Sequence, residues 1–465
     1  MEVLASRWVL PVTSPPVPRG AVAVEGSRVV AVGTARELQQ AFPQARWIDC
    51  GDAILLPGLV NVHSHLELTV LRGRLERSDF YAWIAELVGL KNARLTSDDL
   101  LVSARLGCLE AIRAGVTTLA DTSDAEAPLQ ALAESGLRGV VYQECFGPDP
   151  EQVEAALELL QGKLLAHQTF LRRQPPEVAA RLRLGVSPHA PYSVSPQLYQ
   201  RVARWAIEEG LDLALHAAES QAERQLLLDG GGAFGEMLRR RQIPYSPPGC
   251  SLVEFLDRLG VLEAAPLLIH GVTIEPAETR RLTANRVRLA HCPKSNAKFG
   301  HGVAPLRAWL NEGLVVGLGT DSVASNNGGD LLEEARFCGL LHRAVEKDGD
   351  WPSADQLLRL LTIEGARTLH LEEEIGSLEA GKRADLIAVS LTHPANIPDY
   401  DPVTALLFSG SGRDVQLTMV DGHILYAHRN VRVASADKVS TLDEASIVAE
   451  ARLIAQRLDP ALPSS

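Results

Sequence analysis

Along this chain, imidazoles and one carboxylate recur directly after short apolar runs. His63 and His65 close Leu59-Val-Asn-Val, His189 follows Leu182-Arg-Leu-Gly-Val-Ser-Pro, and His216 follows Leu211-Asp-Leu-Ala-Leu. His270 ends Leu267-Leu-Ile, His291 ends Val287-Arg-Leu-Ala, and Asp321 ends Leu314-Val-Val-Gly-Leu-Gly-Thr. Side chains two apart in an extended segment share a face, so His63 and His65 can reach one ion from the end of a single strand. By itself that pair fits ordinary strand-end histidines equally well. Joined by His216 and Asp321, it becomes a set of nitrogen and oxygen donors that holds Zn²⁺, or Fe²⁺ as second choice, and leaves a position open for water. The plainer readings are a buried His216 satisfied by hydrogen bonds and an Asp321 that caps the next helix. A random scatter of 13 histidines would seldom fill so many equivalent places.

Glu219 stands three residues after His216 in His-Ala-Ala-Glu. A helical turn beginning there would aim its carboxylate at the same site, near the metal but not on it, where it can take a proton from water and pass it to a leaving group. A surface glutamate is the alternative. His270 is better placed to hydrogen-bond the attacking oxygen or a substrate atom than to complete the ligand set. The fourth run ends Gly185-Val-Ser-Pro-His189, with no lysine to bridge two ions, so one metal is expected.

Residues spaced like this need a frame that brings strand ends together. Helical stretches precede each later run: Leu100 to Ala114 before Val116 to Asp121, Glu126 to Glu134 before Gly139 to Glu144, 151 to 170 before 182 to 189, and 196 to 209 before 211 to 216. The pattern continues with 251 to 259 before 267 to 270, 276 to 283 before 287 to 291, and Ala304 to Glu312 before Leu314 to Asp321. With 59 to 63 that makes eight strands, the number that closes a parallel α/β barrel whose active site lies at the C-terminal rim of its strands. A doubly wound open sheet is the alternative, but no Gly-rich phosphate fingerprint follows an early strand. Helices over 328 to 346 and 353 to 370 end the barrel.

Residues 1 to 55 read as short strands and turns, with a hairpin around Gly26-Ser27; the same texture returns at Ile375 to Val389 and at Val415 to Tyr426, where Asp421-Gly422 is a hairpin signal. Neither terminal region is long enough to make a covered sheet alone. The expected fold is a TIM-like (β/α)8 barrel, residues 57–372, inserted in a small composite β-sandwich built from 1–56 and 373–430. Residues 431–465 supply an amphipathic helix from Thr441 to Leu458 and a loose tail.

The bulk properties narrow the function classes. The chain has 465 residues, 46% of them apolar, with 45 Lys and Arg against 58 Asp and Glu and a net charge of −13. That excess of acid, with no basic run interleaved with aromatics, argues against a nucleic acid polymer as partner and leaves room for a small-molecule substrate. The cluster Arg239-Arg-Arg-Gln242 reads as a solvated helix end or a pocket rim. Six cysteines without a CxxC pair indicate a reduced compartment. With no basic, apolar leader and no run of 18 apolar residues, a cytoplasmic location away from membranes is expected.

A set of segments then resembles the amidohydrolase superfamily, in particular its branch of aromatic and nucleoside deaminases and chlorohydrolases that includes S-adenosylhomocysteine and methylthioadenosine deaminases. The segments are Pro57-Gly58 before His63-Ser-His65, Ser187-Pro-His-Ala-Pro-Tyr-Ser193, His216-Ala-Ala-Glu-Ser220, His270-Gly271, His291-Cys-Pro-Lys-Ser-Asn296, Gly319-Thr-Asp-Ser322 and Gly376-Ser-Leu-Glu-Ala-Gly-Lys-Arg-Ala-Asp385. The resemblance implies His63, His65, His216 and Asp321 as ligands of one divalent metal, Glu219 as proton shuttle, His270 as the group that polarises the reacting atoms, and His189 as a substrate contact. Asp321 is expected to share in proton transfer. The resemblance also implies the split β domain and commonly a homodimer.

The reaction it implies is hydrolytic deamination of an aminopurine nucleoside, with ammonia released. Adenosine-type members usually carry a glutamate some two dozen residues past the second histidine of His-x-His, reaching the ribose hydroxyls. Here that region reads Gly89-Leu-Lys-Asn-Ala-Arg94, so Lys91 and Arg94 could suit a substrate bearing a carboxylate. Aminodeoxyfutalosine, an adenine nucleoside with a benzoate arm used in menaquinone synthesis, meets that description. Glu144 and Arg74 are further candidates for the sugar or its extension, and Asn296 and Ser322 complete the substrate-binding set. The alternatives are a deaminase of S-adenosylhomocysteine, methylthioadenosine or adenosine, a guanine or triazine deaminase or chlorohydrolase, and, in another class, a scaffold protein that has lost its chemistry.

Overall fold

The computed structural model describes residues 1–76, 79–428, 431 and 442–462. Eight parallel strands pair in sequence order: β1 (Leu59–Ser64), β2 (Val116–Ser123), β3 (Arg138–Cys145), β4 (Leu182–Pro188), β5 (Asp212–Ala217), β6 (Leu267–His270), β7 (Arg288–His291) and β8 (Val315–Leu318). The ends of this sheet meet where Ser64 bridges Asp321 in parallel register and the Asp321 N–H donates to the His63 carbonyl at 3.0 Å. The barrel therefore closes at residues singled out for chemistry. Its strands are buried on both faces over nearly their whole length, which is why they read as continuous apolar runs rather than alternating ones. Gly319 is required at the seam: a Cβ there would lie 2.8 Å from His63 Cβ and 2.9 Å from His63 N.

The stretch 353–370, expected as one helix, is two: Ala354–Leu361 and Ile363–Thr368, broken at Thr362, where φ is −128° and ψ −97°. The Thr362 hydroxyl donates to the Leu358 carbonyl at 2.6 Å, a local bond that competes with the regular helix. Three helices that the sequence spacing does not suggest, Phe80–Arg94, Gln221–Asp229 and Gly232–Arg240, stand over the barrel mouth after β1 and β5. Among the described residues no helix is long and apolar enough to cross a membrane.

Two sheets flank the barrel. One has the order Arg28–Thr34, Gly20–Glu25, Glu2–Ala5, Arg46–Asp49; the other mixes both ends of the chain in the order His423–Ala427, Val415–Val420, Leu386–Ser390, Ala53–Pro57, Trp8–Val9, Val17–Pro18. Leu4, Val22 and Ile48 from the first share a buried cluster with Leu55, Leu386, Leu417 and Met419 from the second. Asp421 and Gly422 take φ of 49° and 77°, the left-handed pair that a tight hairpin turn demands. The last helix, Glu444–Leu458, is capped by Asp443 and buries Ile447, Ala451, Ile454 and Leu458; its Arg457 pairs with Asp99 on the helix Ser97–Arg113. The expected helix start at Thr441 and the end of the tail, 463–465, lie outside the described residues.

One cation ties barrel to sandwich. Arg138, at the start of β3, donates to Asp385 at 2.9 and 3.2 Å and to Asp421 at 2.8 Å, and all three are buried. Arg138→Ala takes the guanidinium from buried Asp385 and leaves Asp421 to Arg383 at 3.4 Å, which should cost about 3 kcal/mol. Urea unfolding checks this; an unchanged midpoint would show that the ion triad does not couple the two parts.

Candidate metal centre and active site

The C-terminal ends of β1, β5 and β8 bring four donors into one cluster. His63 Nε2 lies 3.2 Å and His65 Nε2 3.5 Å from Asp321 Oδ1, and His216 Nε2 lies 3.3 Å from His65 Nε2. Ligands about 2.0–2.1 Å from one tetrahedral ion are about 3.3 Å from each other, so these separations fit a shared Zn²⁺-type cation. Both ring nitrogens of His63 are buried and have no hydrogen-bond partner among the described residues, which a cation between the donors accounts for. Burial, reinforced by His63, pushes His65 down to about 3, and burial with His189 and His63 holds His216 well below the usual imidazole range. Neutral imidazole is the form that binds a metal.

Outer contacts aim each donor. The His216 Nδ1–H donates to the His189 carbonyl at 3.3 Å, which leaves Nε2 for the cluster. Asp321 Oδ2 accepts from the hydroxyls of Ser295 at 2.6 Å and Ser325 at 2.9 Å, which leaves Oδ1 facing His63 and His65. Burial pushes the Asp321 carboxyl up, but His63, His270 and His65 prevail and hold it well below its usual range. The loop after β1 is fixed by Asp121 Oδ2, which accepts from the Leu66 N–H at 2.7 Å. Ala218, His270 and Asp321 all have positive φ, 54°, 77° and 59°, a conformation non-glycine residues seldom hold and one that gathers at functional sites.

Glu219 and His270 stand beside the cluster. Glu219 Oε1 is 3.6 Å from His270 Nε2, and burial, with Asp321 and Glu223 close by, holds Glu219 well above the ordinary carboxyl range. The Glu223 carboxylate accepts from the N–H groups of Ala218 at 2.7 Å and Glu219 at 3.3 Å, which locks the turn carrying Glu219. The His270 Nδ1–H donates to Asn296 Oδ1 at 2.9 Å, so its Nε2 faces the site as an acceptor.

A cavity of about 440 Å³ opens over this group. His189, Glu144 and Ser322 line it; the Glu144 carboxylate is buried, and its Oε1, with no hydrogen-bond partner among the described residues, lies 3.9 Å from His216 Nδ1. Burial, then the charge of Asp124, holds Glu144 well above the usual carboxyl range. Asn296 lies behind His270 rather than in the cavity wall. Arg74 is placed elsewhere: 39% exposed, it lies 4.0 Å from Glu86 and does not line the cavity. Lys91 does line it, but its ammonium is held between Glu67 and Asp124, while Arg94 is exposed and donates to the Arg457 carbonyl at 3.2 Å. Neither presents a free cation to the cavity. Arg241, from the basic cluster, lines the cavity and among the described residues makes no ion pair. His291 is turned away, its Nε2 3.1 Å from His342 Nε2. Sequence reasoning passed over the apolar wall made by Phe80, Trp83, Ile84, Leu87 and Phe234, and over His301, whose Nε2 is 3.7 Å from Glu219 Oε1.

Residues 54–425 match the model of the amidohydrolase family. The chain belongs to that family. Residues 20–45 also match an imidazolonepropionase-like composite domain of bacteria. A 5-methylthioadenosine/S-adenosylhomocysteine deaminase of Moorella thermoacetica is 32% identical over 435 residues, covering 93% of this chain and 95% of that protein. Among solved structures, an adenosine deaminase from Xanthomonas campestris with bound zinc has a TM-score of 0.83 at 24% identity, over 99% of this chain and 98% of its own. A Helicobacter pylori aminofutalosine deaminase in complex with methylthio-coformycin has a TM-score of 0.75 at 20% identity, over 91% and 100%. With its cluster of His and Asp donors intact, this amidohydrolase is a metal-dependent hydrolase acting on carbon–nitrogen bonds.

Proposed function

We propose that the chain hydrolytically deaminates an adenine-type nucleoside whose 5′ position carries an extended substituent, with aminodeoxyfutalosine, methylthioadenosine and S-adenosylhomocysteine as the members of that class to be compared. The observation that carries this reading is Glu219 set beside a four-donor cluster at the floor of a cavity of about 440 Å³, within the range of pockets that enclose small ligands. The deaminase names of relatives that match over nearly the whole chain support it.

In this reading His63, His65, His216 and Asp321 hold one divalent ion. When bound, that ion supplies a water nucleophile at neutral pH and a positive charge for the transition state. His270, kept by Asn296 in the tautomer with a free Nε2, accepts a hydrogen bond from the attacking water and orients it. Glu219, buried and inclined to hold a proton, delivers it to the ring nitrogen beside the carbon under attack. Asp321 Oδ1 accepts one proton of the incoming water and returns it to the departing amine, and the second proton of that water passes to Glu219 as the carbonyl forms, so that water and the aminopurine yield the oxopurine and ammonia with Glu219 protonated again. Glu144 and His189, beyond the cluster, meet the sugar hydroxyls. The apolar wall of Phe80, Trp83, Ile84 and Leu87 then receives the 5′ arm, and Arg241 stands where an anionic end of that arm would arrive.

Steady-state ammonia release from adenosine, methylthioadenosine, S-adenosylhomocysteine and aminodeoxyfutalosine tests the reading, with a chlorinated triazine as contrast. The 5′-extended nucleosides should exceed adenosine in kcat/KM by about tenfold or more, the scale on which an apolar pocket discriminates. Chloride released from the triazine with no ammonia from any nucleoside would overturn it.

A further inference from the structure

The loop after β7 carries a second imidazole toward Glu219. Helix Pro293–Lys298 ends at Phe299, and the chain then turns through Gly300, His301 and Gly302, with the two glycines at φ of 69° and 114°. The His301 N–H donates to the Asn296 carbonyl at 2.9 Å, while the side chain of the same Asn296 accepts from His270. Asn296 thus fixes both imidazoles, one by its main chain and one by its side chain. Their Nε2 atoms face one carboxylate oxygen, Glu219 Oε1, at 3.6 Å from His270 and 3.7 Å from His301. The His301 ring is held in place by aromatics on two sides: it stacks on Phe299, with centroids 5.2 Å apart and planes at 25°, and meets Phe80 edge to face at 4.6 Å and 83°. Its Nε2 is buried and finds no hydrogen-bond partner among the described residues.

A polar nitrogen buried in an aromatic clamp is costly unless it is used. At 3.7 Å it is just beyond a hydrogen bond, and a small rotation of the Glu219 side chain would close the gap. We propose that His301 is a positioning residue for Glu219: its Nε2–H receives Oε1 once Glu219 has given its proton to the ring, and so stabilises the carboxylate left behind. The proton itself stays on His301; only a hydrogen bond is made. The need is specific to this site, because the other groups facing Glu219 are His270, whose Nε2 is an acceptor, Tyr192, and the acids Glu223 and Asp321, which disfavour a new negative charge. The inference rests on the role assigned to Glu219 above.

The test uses the full-length, metal-loaded enzyme and the adenine nucleosides named above. His301→Phe keeps the ring between Phe80 and Phe299 and deletes the donor; it should lower kcat by about 10- to 100-fold, the scale of a hydrogen bond to a charged group, with KM within about twofold and metal per chain unchanged. His301→Gln returns an N–H to the same region and should recover most of that loss. In a Glu219→Gln background, His301→Phe should have no further effect, because residues that act as a unit are not additive. Wild-type kcat in His301→Phe, or a loss that multiplies in full with that of Glu219→Gln, overturns the role of His301 and leaves that of Glu219 standing. A Glu219→Gln enzyme with normal turnover would instead remove the reading on which the inference rests.

Discussion

Glu219→Gln is expected to lower kcat by about 100-fold or more while metal per chain and the unfolding midpoint stay at wild-type values. The amide has the shape of the protonated acid, so the packing of this buried side chain survives. The turn that carries it is held by Glu223 through main-chain N–H groups of Ala218 and Glu219, contacts that the substitution does not touch. Nor is Glu219 in the four-donor cluster, which leaves the metal site intact. What is lost is a proton that can leave. Burial near Asp321 and Glu223 favours the protonated form of Glu219, and the ring nitrogen of the substrate becomes basic only as water adds to the neighbouring carbon. Turnover by the Gln variant at the wild-type rate, with ammonia release followed directly, would take the proton-shuttle role from Glu219.

Much of this site was legible because a parallel barrel writes its active site in one kind of place. A strand buried on both faces reads as an apolar run, and the first polar residue after it sits at the rim; His63, His65, His189, His216, His270 and Asp321 were all found in this way. The same rule misplaces His291. Its run looks like the others, but its imidazole meets His342 on the helix Leu331–Glu346, and nothing in four residues of strand says which way the last side chain turns. Lys91 was misread for another reason. As a lone cation replacing an expected acid, it suggested an anionic substrate, yet Glu67 and Asp124, distant in sequence, neutralise it. The helix that carries Lys91 was hidden because its apolar residues serve two surfaces: Leu90 packs toward the core, Val88 lines the cavity, and Phe80, Trp83, Ile84 and Leu87 do both, so no single stripe stands out. The cavity wall instead carries Arg241, which makes no ion pair among the described residues and belongs to a cluster whose sequence alone allowed a helix end or a pocket rim.

Asp321→Ala is expected to bring metal content well below one ion per chain after dialysis and to remove almost all turnover. Asp321 Oδ1 is, among the described residues, the carboxylate oxygen set between the imidazoles of His63 and His65, so its loss removes both a ligand and the negative charge that offsets a divalent cation in a buried site. Alanine changes more than the ligand, however. Residue 321 has φ of 59°, costly for a side chain that cannot compensate locally, and its N–H closes the barrel seam onto the His63 carbonyl. Asp321→Asn separates the two effects, because asparagine tolerates the left-handed region and can still accept from Ser295 and Ser325. If the ligand role is right, the Asn variant keeps the folded midpoint of the metal-free wild type but fails to gain stability when Zn²⁺ is added. The wild type should gain about 2.7 kcal/mol at a free ion concentration 100 times its Kd. An Asn variant that binds one ion per chain with the same thermal shift as wild type would place the fourth donor elsewhere, with His270, whose ring nitrogens group with those of His63 and His216, as the substitute.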